Sequence, residues 1–246
     1  MTASGRPRPS ATVMLVRDAP AGERSLEVFM LRRHPSTAFG SVHVFPGGVV
    51  DATDTDPGLD ERCPDLTDAE ASARLRVPMN GRAFWVAAVR ECFEEAGVLL
   101  ARHTSGEPLR LDHHPAVQRR FEEHRRAVHA GTRSLLEVLR AEGLLLALGE
   151  VRYLSRWITP AGQPKRFDAR FFVARAPEGH AYAHDDLELI DSGWVRPDEA
   201  LDRSSRGDFD LIEPTIRSLE DVGRFTSVDE LLASAHLTPA PEARPA

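Results

Sequence analysis

Lysine is almost absent from this chain: Lys165 is the only one, and the remaining basic residues apart from histidine are all arginine. Such a bias is the kind that genomic base composition produces, and by itself it assigns no function. Cysteine is nearly as scarce. Cys63 and Cys92 are the only two, and no CxxC or Cys/His spacing of a metal site occurs. A disulfide scaffold is thereby excluded, and two free thiols in a reducing compartment are expected. Long apolar runs are missing too. No stretch reads as a membrane span, "MTASGRPRPS" has no signal-type apolar core, and the closing "EARPA" is no peroxisomal address. Positive charge is in deficit, with a net charge of −7, which argues against nucleic acid or an anionic membrane surface as partner. The expectation is a soluble cytoplasmic protein, with homodimerisation left open.

The 246 residues are 41% hydrophobic, enough for one large α/β domain over 11–235. Residues 1–10 and 236–246, rich in proline and alanine, read as disordered tails. Strand patterns occupy 11–17, 26–33, 43–48, 98–102, 151–159, 166–175 and 187–195. Helical patterns occupy 82–96, 115–129, 132–142, 197–204, 212–222 and 227–235, with a shorter one at 67–75. Strands and helices interleave without a clean βαβ period, which predicts a mixed sheet with helices on both faces.

"AVRECFEEAGVLL" (88–100) raises the question of function. Glu91, Glu94 and Glu95 fall at i, i+3 and i+4 and so share a helix face. Like charges at that spacing repel by roughly 0.2–0.5 kcal/mol per pair. Gly97 marks the helix end, where the macrodipole also disfavours anions. A hard divalent cation would relieve both penalties. Upstream, the glycines of "FPGG" (45–48) allow the backbone to approach a ligand closely.

Residues 90–98, "RECFEEAGV", resemble the second half of the Nudix box, G-x5-E-x7-R-E-U-x-E-E-x-G-U with U apolar. "GVVDATD" (48–54) resembles its first half, with Gly48 leading and Asp54 at the glutamate position. Uninterrupted spacing would place the arginine at Arg62, but the "RCPDLTD" that begins there lacks the glutamates and carries the helix-breaking Pro64. The box is therefore read as interrupted by an insertion over 55–82, with Arg90 as its arginine. Such an interruption resembles the acyl-CoA diphosphatase-like branch of the superfamily. So do "LRRHPSTAFGSVHVFPGGVVD", "SRWITPAGQPKRFDARFFVAR" and "DSGWVRPDEAL". The resemblance runs through most of 11–220, with a helical insertion at 110–147.

The resemblance implies a Nudix α/β/α sandwich with a mixed sheet. It also implies hydrolysis of a nucleoside diphosphate derivative with Mg²⁺ or Mn²⁺. Coenzyme A or acyl-CoA, cut to 3′,5′-ADP and a phosphopantetheine product, is the leading substrate class. ADP-ribose, NADH or a dinucleotide is the alternative, and a nucleotide sensor without turnover is the rival from outside catalysis. Glu91, Glu94 and Glu95, with the Gly48 carbonyl, would hold metal, and Arg90 would orient the glutamates. The general base would be a box glutamate or a later acid, with Asp185, Asp186 and Glu188 as candidates. Asp54 would bind metal through water or hold Arg90. Arg32, Arg33, Lys165 and Arg166 are candidate phosphate grips, and Phe39, Phe45 and Trp157 are candidate stacking groups, with buried core the safer reading for Phe45. His113, His114, His124 and His129 have no flanking ligand set for zinc and read as solvated.

Overall fold

The computed structural model describes residues 5–20, 25–34, 41–111, 114–180, 182, 189–237 and 243–245. Its centre is β1 (Arg8–Asp18), whose Ala-Thr-Val-Met-Leu-Val run is buried on both faces. Alternation along the strand sends Val13 and Leu15 into one core and Met14 and Val16 into another. A strand apolar on both sides must be covered on both sides, and this one is.

β1 hairpins into β2 (Leu26–Arg33), which in turn pairs antiparallel with β3 (His43–Val44). The far end of β1 pairs instead with β4 (Gly47–Val49), so β2 and β4 share one edge of β1 at different heights. The chain then leaves the sheet through 3₁₀ turns at Ala52–Thr55 and Pro57–Arg62 and the short α1 (Asp68–Leu75). It returns in α2 (Arg82–Ala96), which crosses the first core face. Next come β5 (Ala101–His103), α3 (Pro115–His129), α4 (Leu135–Glu142) and β6 (Leu144–Leu146), the last pairing with β5. β7 (Arg152–Ile158) and β8 (Phe167–Arg175) form a second hairpin, and β8 lies parallel to β1. β9 (Leu189–Val195) adds to β2. The other face is covered by α5 (Pro197–Ser205), α6 (Glu213–Val222) and α7 (Val228–Leu237). Last, β10 (Ala243–Pro245) runs parallel to β7.

Among the described residues this is an eight-stranded mixed sheet between two helical layers, the expected α/β/α sandwich. No described helix is long and apolar enough to cross a membrane.

Several boundaries differ from expectation. Arg8–Ser10 belong to β1 and not to a tail, because all three pair with β8 and Ser10 pairs with β4 as well. The C-terminal stretch is not wholly a tail either. α7 runs to Leu237, and Ala243–Pro245 fill the outer edge of β7, where an extended segment finds open ladder groups and a proline is tolerated. The helix expected from 132 starts at Leu135, since Ser134 and Glu137 form a reciprocal capping box. The helical insertion ends in a strand, Leu144–Leu146, that ties it back to the core.

Candidate active site

α2 is buried almost all round, and its last turn carries the acidic residues. Ala83, Ala87 and Ala88 keep that helix slim where it packs into the first core, and Trp85 pins it by donating from Nε1 to the Val151 carbonyl at 2.9 Å. At its end Gly97 takes the left-handed conformation (φ 69°). The Gly97 and Val98 amides then bond the Phe93 and Cys92 carbonyls.

Arg90 gathers the two halves of the interrupted box. It donates from Nε to Asp54 Oδ1 at 2.9 Å and from Nη2 to Asp54 Oδ2 at 3.0 Å. Nη2 also reaches the Val49 carbonyl at 2.9 Å, while Nη1 donates to Glu91 Oε1 at 2.8 Å and Glu94 Oε1 at 3.0 Å. Asp54 is buried, and it also accepts from the Asp51 amide at 2.7 Å as part of a capping box. Burial pushes the Asp54 carboxyl above the usual carboxylate range, and Arg90 pulls it part of the way back. Of the two roles open for Asp54, the geometry shows the hold on Arg90.

β4 forms the opposite wall. Val13 bonds the Pro46 carbonyl and Val50 the Pro9 carbonyl, so the pair between them, Ala11 and Gly48, is the closely bonded kind, and Thr12 and Gly47 are not. The Gly47 amide therefore faces away from β1 and donates to Glu95 Oε2 at 2.8 Å. The same register pairs the Gly48 carbonyl with the Ala11 amide, and the oxygen's second lone pair stays available to the metal expected there. Gly48 also contributes its missing side chain: a Cβ there would stand 2.2 Å from Glu91 Oε1.

Burial, opposed by Arg90 and reinforced by Glu94, pushes the Glu91 carboxyl up to about 7. Among the described residues the three carboxylates do not close on one point. Arg90 Nη1 bridges Glu91 and Glu94, and Glu95 is turned to Gly47. In kind they fit a hard cation: all are carboxylate oxygens, they lie on adjoining turns of one helix, and a Cβ-free strand lies against Glu91.

Glu91 and Glu95 open onto a cleft of about 770 Å³. Arg33, Lys165 and Arg8 supply positive charge to its walls, and Phe45, Trp157, Phe167 and Phe171 supply apolar surface. Arg33 Nη2 lies 3.8 Å from Glu95 Oε1. Of the four expected phosphate grips, Arg33 and Lys165 line the cleft, whereas Arg32 and Arg166 do not. Neighbours on a strand point to opposite faces, so Arg32 and Arg33 diverge. Arg166 is spent on the Thr159 carbonyl at 3.0 Å and the Gly5 carbonyl at 3.2 Å. Asp185, Asp186, Glu188, Phe39 and His113 lie outside the described residues.

The histidines of α3 are not the solvated groups expected. His124 is buried, with Nε2 2.9 Å from Glu142 Oε1 and Nδ1 2.7 Å from Arg133. His129 Nδ1 is 3.7 Å from Glu94 Oε2. Sequence reasoning also missed Arg125, which donates to the Glu94 and Glu95 carbonyls at 2.8 and 3.0 Å. The signal for it was present: Arg125 falls on the apolar stripe of Phe121 and Val128 at helical spacing, where a cation needs a reason to be.

An α/β/α sandwich whose buried helix presents R-E-x-x-E-E to a Gly-Gly strand defines the Nudix hydrolase class. The model of the NUDT19 Nudix domain matches residues 56–222, and the chain belongs to that family. Among its curated relatives, the acyl-coenzyme A diphosphatase NUDT19 of Gallus gallus is 29% identical over 91% of this chain and 70% of its own length. The protein of that name from Homo sapiens is 27% identical over 93% of this chain and 68% of its own. A NUDIX hydrolase from Alicyclobacillus acidocaldarius superposes with a TM-score of 0.73 at 25% identity, covering 94% of this chain and 97% of that one.

Proposed function

We propose that this Nudix diphosphatase hydrolyses the diphosphate bridge of coenzyme A and its acyl esters. Water adds across one P–O–P link, releasing 3′,5′-ADP and the phosphopantetheine product. The observation that carries the reading is the cleft itself, which joins box carboxylates Glu91 and Glu95, cations Arg33 and Lys165, and a wall of aromatic rings. That sequence of surfaces suits a polyanionic bridge with long organic arms. The names of the relatives from Gallus gallus and Homo sapiens support the same substrate class.

Glu91, Glu94 and Glu95 would hold the divalent metal, Mg²⁺ or Mn²⁺. Once bound, it neutralises phosphate oxygens and lowers the pKa of a water. The remaining work belongs to the chain. Arg90 fixes two of the three carboxylates and ties them to Asp54. The Gly47 amide orients Glu95. Arg33 and Lys165 bind the bridging phosphates, and the aromatic wall excludes water from the arms. The proton acceptor is a box glutamate or an acid of the 185–188 segment, and pH profiles of Glu95→Gln, Asp186→Asn and Glu188→Gln separate them.

The test is product analysis with Mg²⁺ and Mn²⁺ on CoA, acetyl-CoA, ADP-ribose, NADH and a diadenosine polyphosphate. 3′,5′-ADP from the CoA compounds, lost in Glu95→Gln, is the expected result. AMP from ADP-ribose or NADH instead would overturn the substrate class and keep the chemistry. No product from any of them, with metal bound, would favour a sensor.

A further inference from the structure

The C-terminal end of α2 sets a problem in hydrogen-bond accounting. The last turn of any helix leaves carbonyls without an intrahelical partner. Here the Gly97 and Val98 amides close on Phe93 and Cys92, so Glu94, Glu95 and Ala96 are left. Two of these three carbonyls belong to residues that carry box carboxylates. Arg125 takes both, from Nε to Glu94 at 2.8 Å and from Nη2 to Glu95 at 3.0 Å. It reaches them from α3, about 30 residues further along the chain. Its guanidinium is buried, and a charge is carried into such a place only when its donors are satisfied. Glu122, one turn earlier on α3, stands 3.5 Å from its Nη1. One turn later on the same helix His129 lies 3.7 Å from the Glu94 carboxylate itself.

We propose that Arg125 is a positioning residue: the helical insertion braces the carboxylate-bearing turn of α2 from behind, through the Glu94 and Glu95 carbonyls. The inference rests on the reading of Glu91, Glu94 and Glu95 as the metal-holding groups. Three physical effects converge. Charge-assisted bonds fix the backbone from which the Glu94 and Glu95 side chains spring. A cation at the negative end of the helix dipole offsets the cost of placing anions there. A planar two-point contact resists rotation of the turn in a way that a single ammonium cannot. The insertion is thereby part of the site's architecture and not an appendage to it.

The test compares wild type with Arg125→Gln and Arg125→Lys in the full chain. Three readouts are taken: calorimetric titration with Mn²⁺ alone, hydrogen exchange across 92–99, and steady-state kinetics. Removing a group that orients metal ligands typically costs about 10–100-fold in metal affinity or activity. Arg125→Gln should weaken Mn²⁺ binding and lower kcat by that order, leave KM nearly unchanged and speed exchange at Gly97 and Val98. Arg125→Lys, with its charge kept and one contact point, should fall between. If Arg125→Gln fails to fold, Arg125→Lys carries the comparison. Wild-type Mn²⁺ affinity and wild-type exchange in a folded variant would overturn the brace. Should the wild type bind no Mn²⁺, the metal reading falls, and exchange alone decides: faster exchange in the variant supports the brace, and unchanged exchange overturns it.

Discussion

Arg90 and Asp54 lie 36 residues apart in sequence and face each other through two hydrogen bonds of 2.9 and 3.0 Å. The ion pair joins the two halves of the box across the insertion, which itself adds Leu59, Leu66 and Ala71 to the first core. Asp54 presents one oxygen to Arg90 Nε and shares the other between Arg90 Nη2 and the Asp51 amide. A side chain one methylene longer would have to fold back to keep all three contacts. Removing Arg90 leaves Asp54 buried without its cation, which costs about 3–5 kcal/mol, whereas removing Asp54 leaves Arg90 its bonds to Glu91, Glu94 and the Val49 carbonyl and costs less. Arg90→Met and Asp54→Ala should each lower the urea midpoint accordingly and abolish turnover, and the two changes combined should cost less than their sum. An additive double-mutant cycle would show that the pair is not coupled.

The two glycines of β4 should separate fold from chemistry. A Cβ at Gly47 would meet the Ala11 carbonyl at 2.6 Å, which is backbone and cannot step aside. At Gly48 the nearest atoms are all in the Glu91 carboxylate, the mobile end of a side chain. Gly47→Ala should therefore lower Tm markedly. Gly48→Ala should keep a near-native melt yet lose about 100-fold in kcat, the scale on which displacing a reacting or ligating group by about 1 Å is felt. Thermal melts and kinetics side by side check it, and a fully active Gly48→Ala enzyme would remove Glu91 from the essential set.

α2 was legible in full, because its apolar residues, R-E-x-x-E-E pattern and closing Gly97 are all local. The interruption was legible too, since Pro64 cannot continue a helix where uninterrupted spacing would need one. What escaped depends on pairing across the sheet. That Gly48 gives its carbonyl to Ala11 while Gly47 turns its amide to Glu95 follows only from the β1–β4 register. Arg32 and Arg33 look alike as a basic pair, yet strand alternation alone forbids both from one cleft. Arg125 and His129 are long-range partners of Glu94, and no local pattern names a partner more than 30 residues away.

Glu91 predicts a pH dependence of known sign. Its folded-state pKa stands at about 7, above the ordinary 4.5, because burial disfavours the charged form. Between those two values the native protein holds more protons than the unfolded chain, so stability must fall as pH rises from 4.5 to 7. Metal-free wild type should lose Tm across that window relative to Glu91→Gln. Added Mn²⁺ should restore it above pH 7, where the carboxylate is free to bind, and calorimetry in buffers of different ionisation enthalpy should detect proton release at pH 6. Parallel Tm profiles for the two metal-free proteins would contradict the assignment.

Arg33 and Lys165 share the cleft with Glu91 and Glu95, as does Arg8, and Arg32 and Arg166 serve as internal controls from the same two strand ends. A charge-assisted contact to phosphate contributes about 1.5–3 kcal/mol, or roughly tenfold or more in binding. Arg33→Gln and Lys165→Gln should therefore raise KM for CoA by about tenfold each, with a smaller change in kcat. Arg32→Gln should leave KM alone. Arg166→Gln should lower Tm, since its guanidinium holds Thr159 and Gly5, without moving KM. The discriminating outcome is the pairing. If KM rises in Arg32→Gln or Arg166→Gln instead, the substrate lies on the other side of the sheet edge, and the cleft beside the glutamates is not where its phosphates sit.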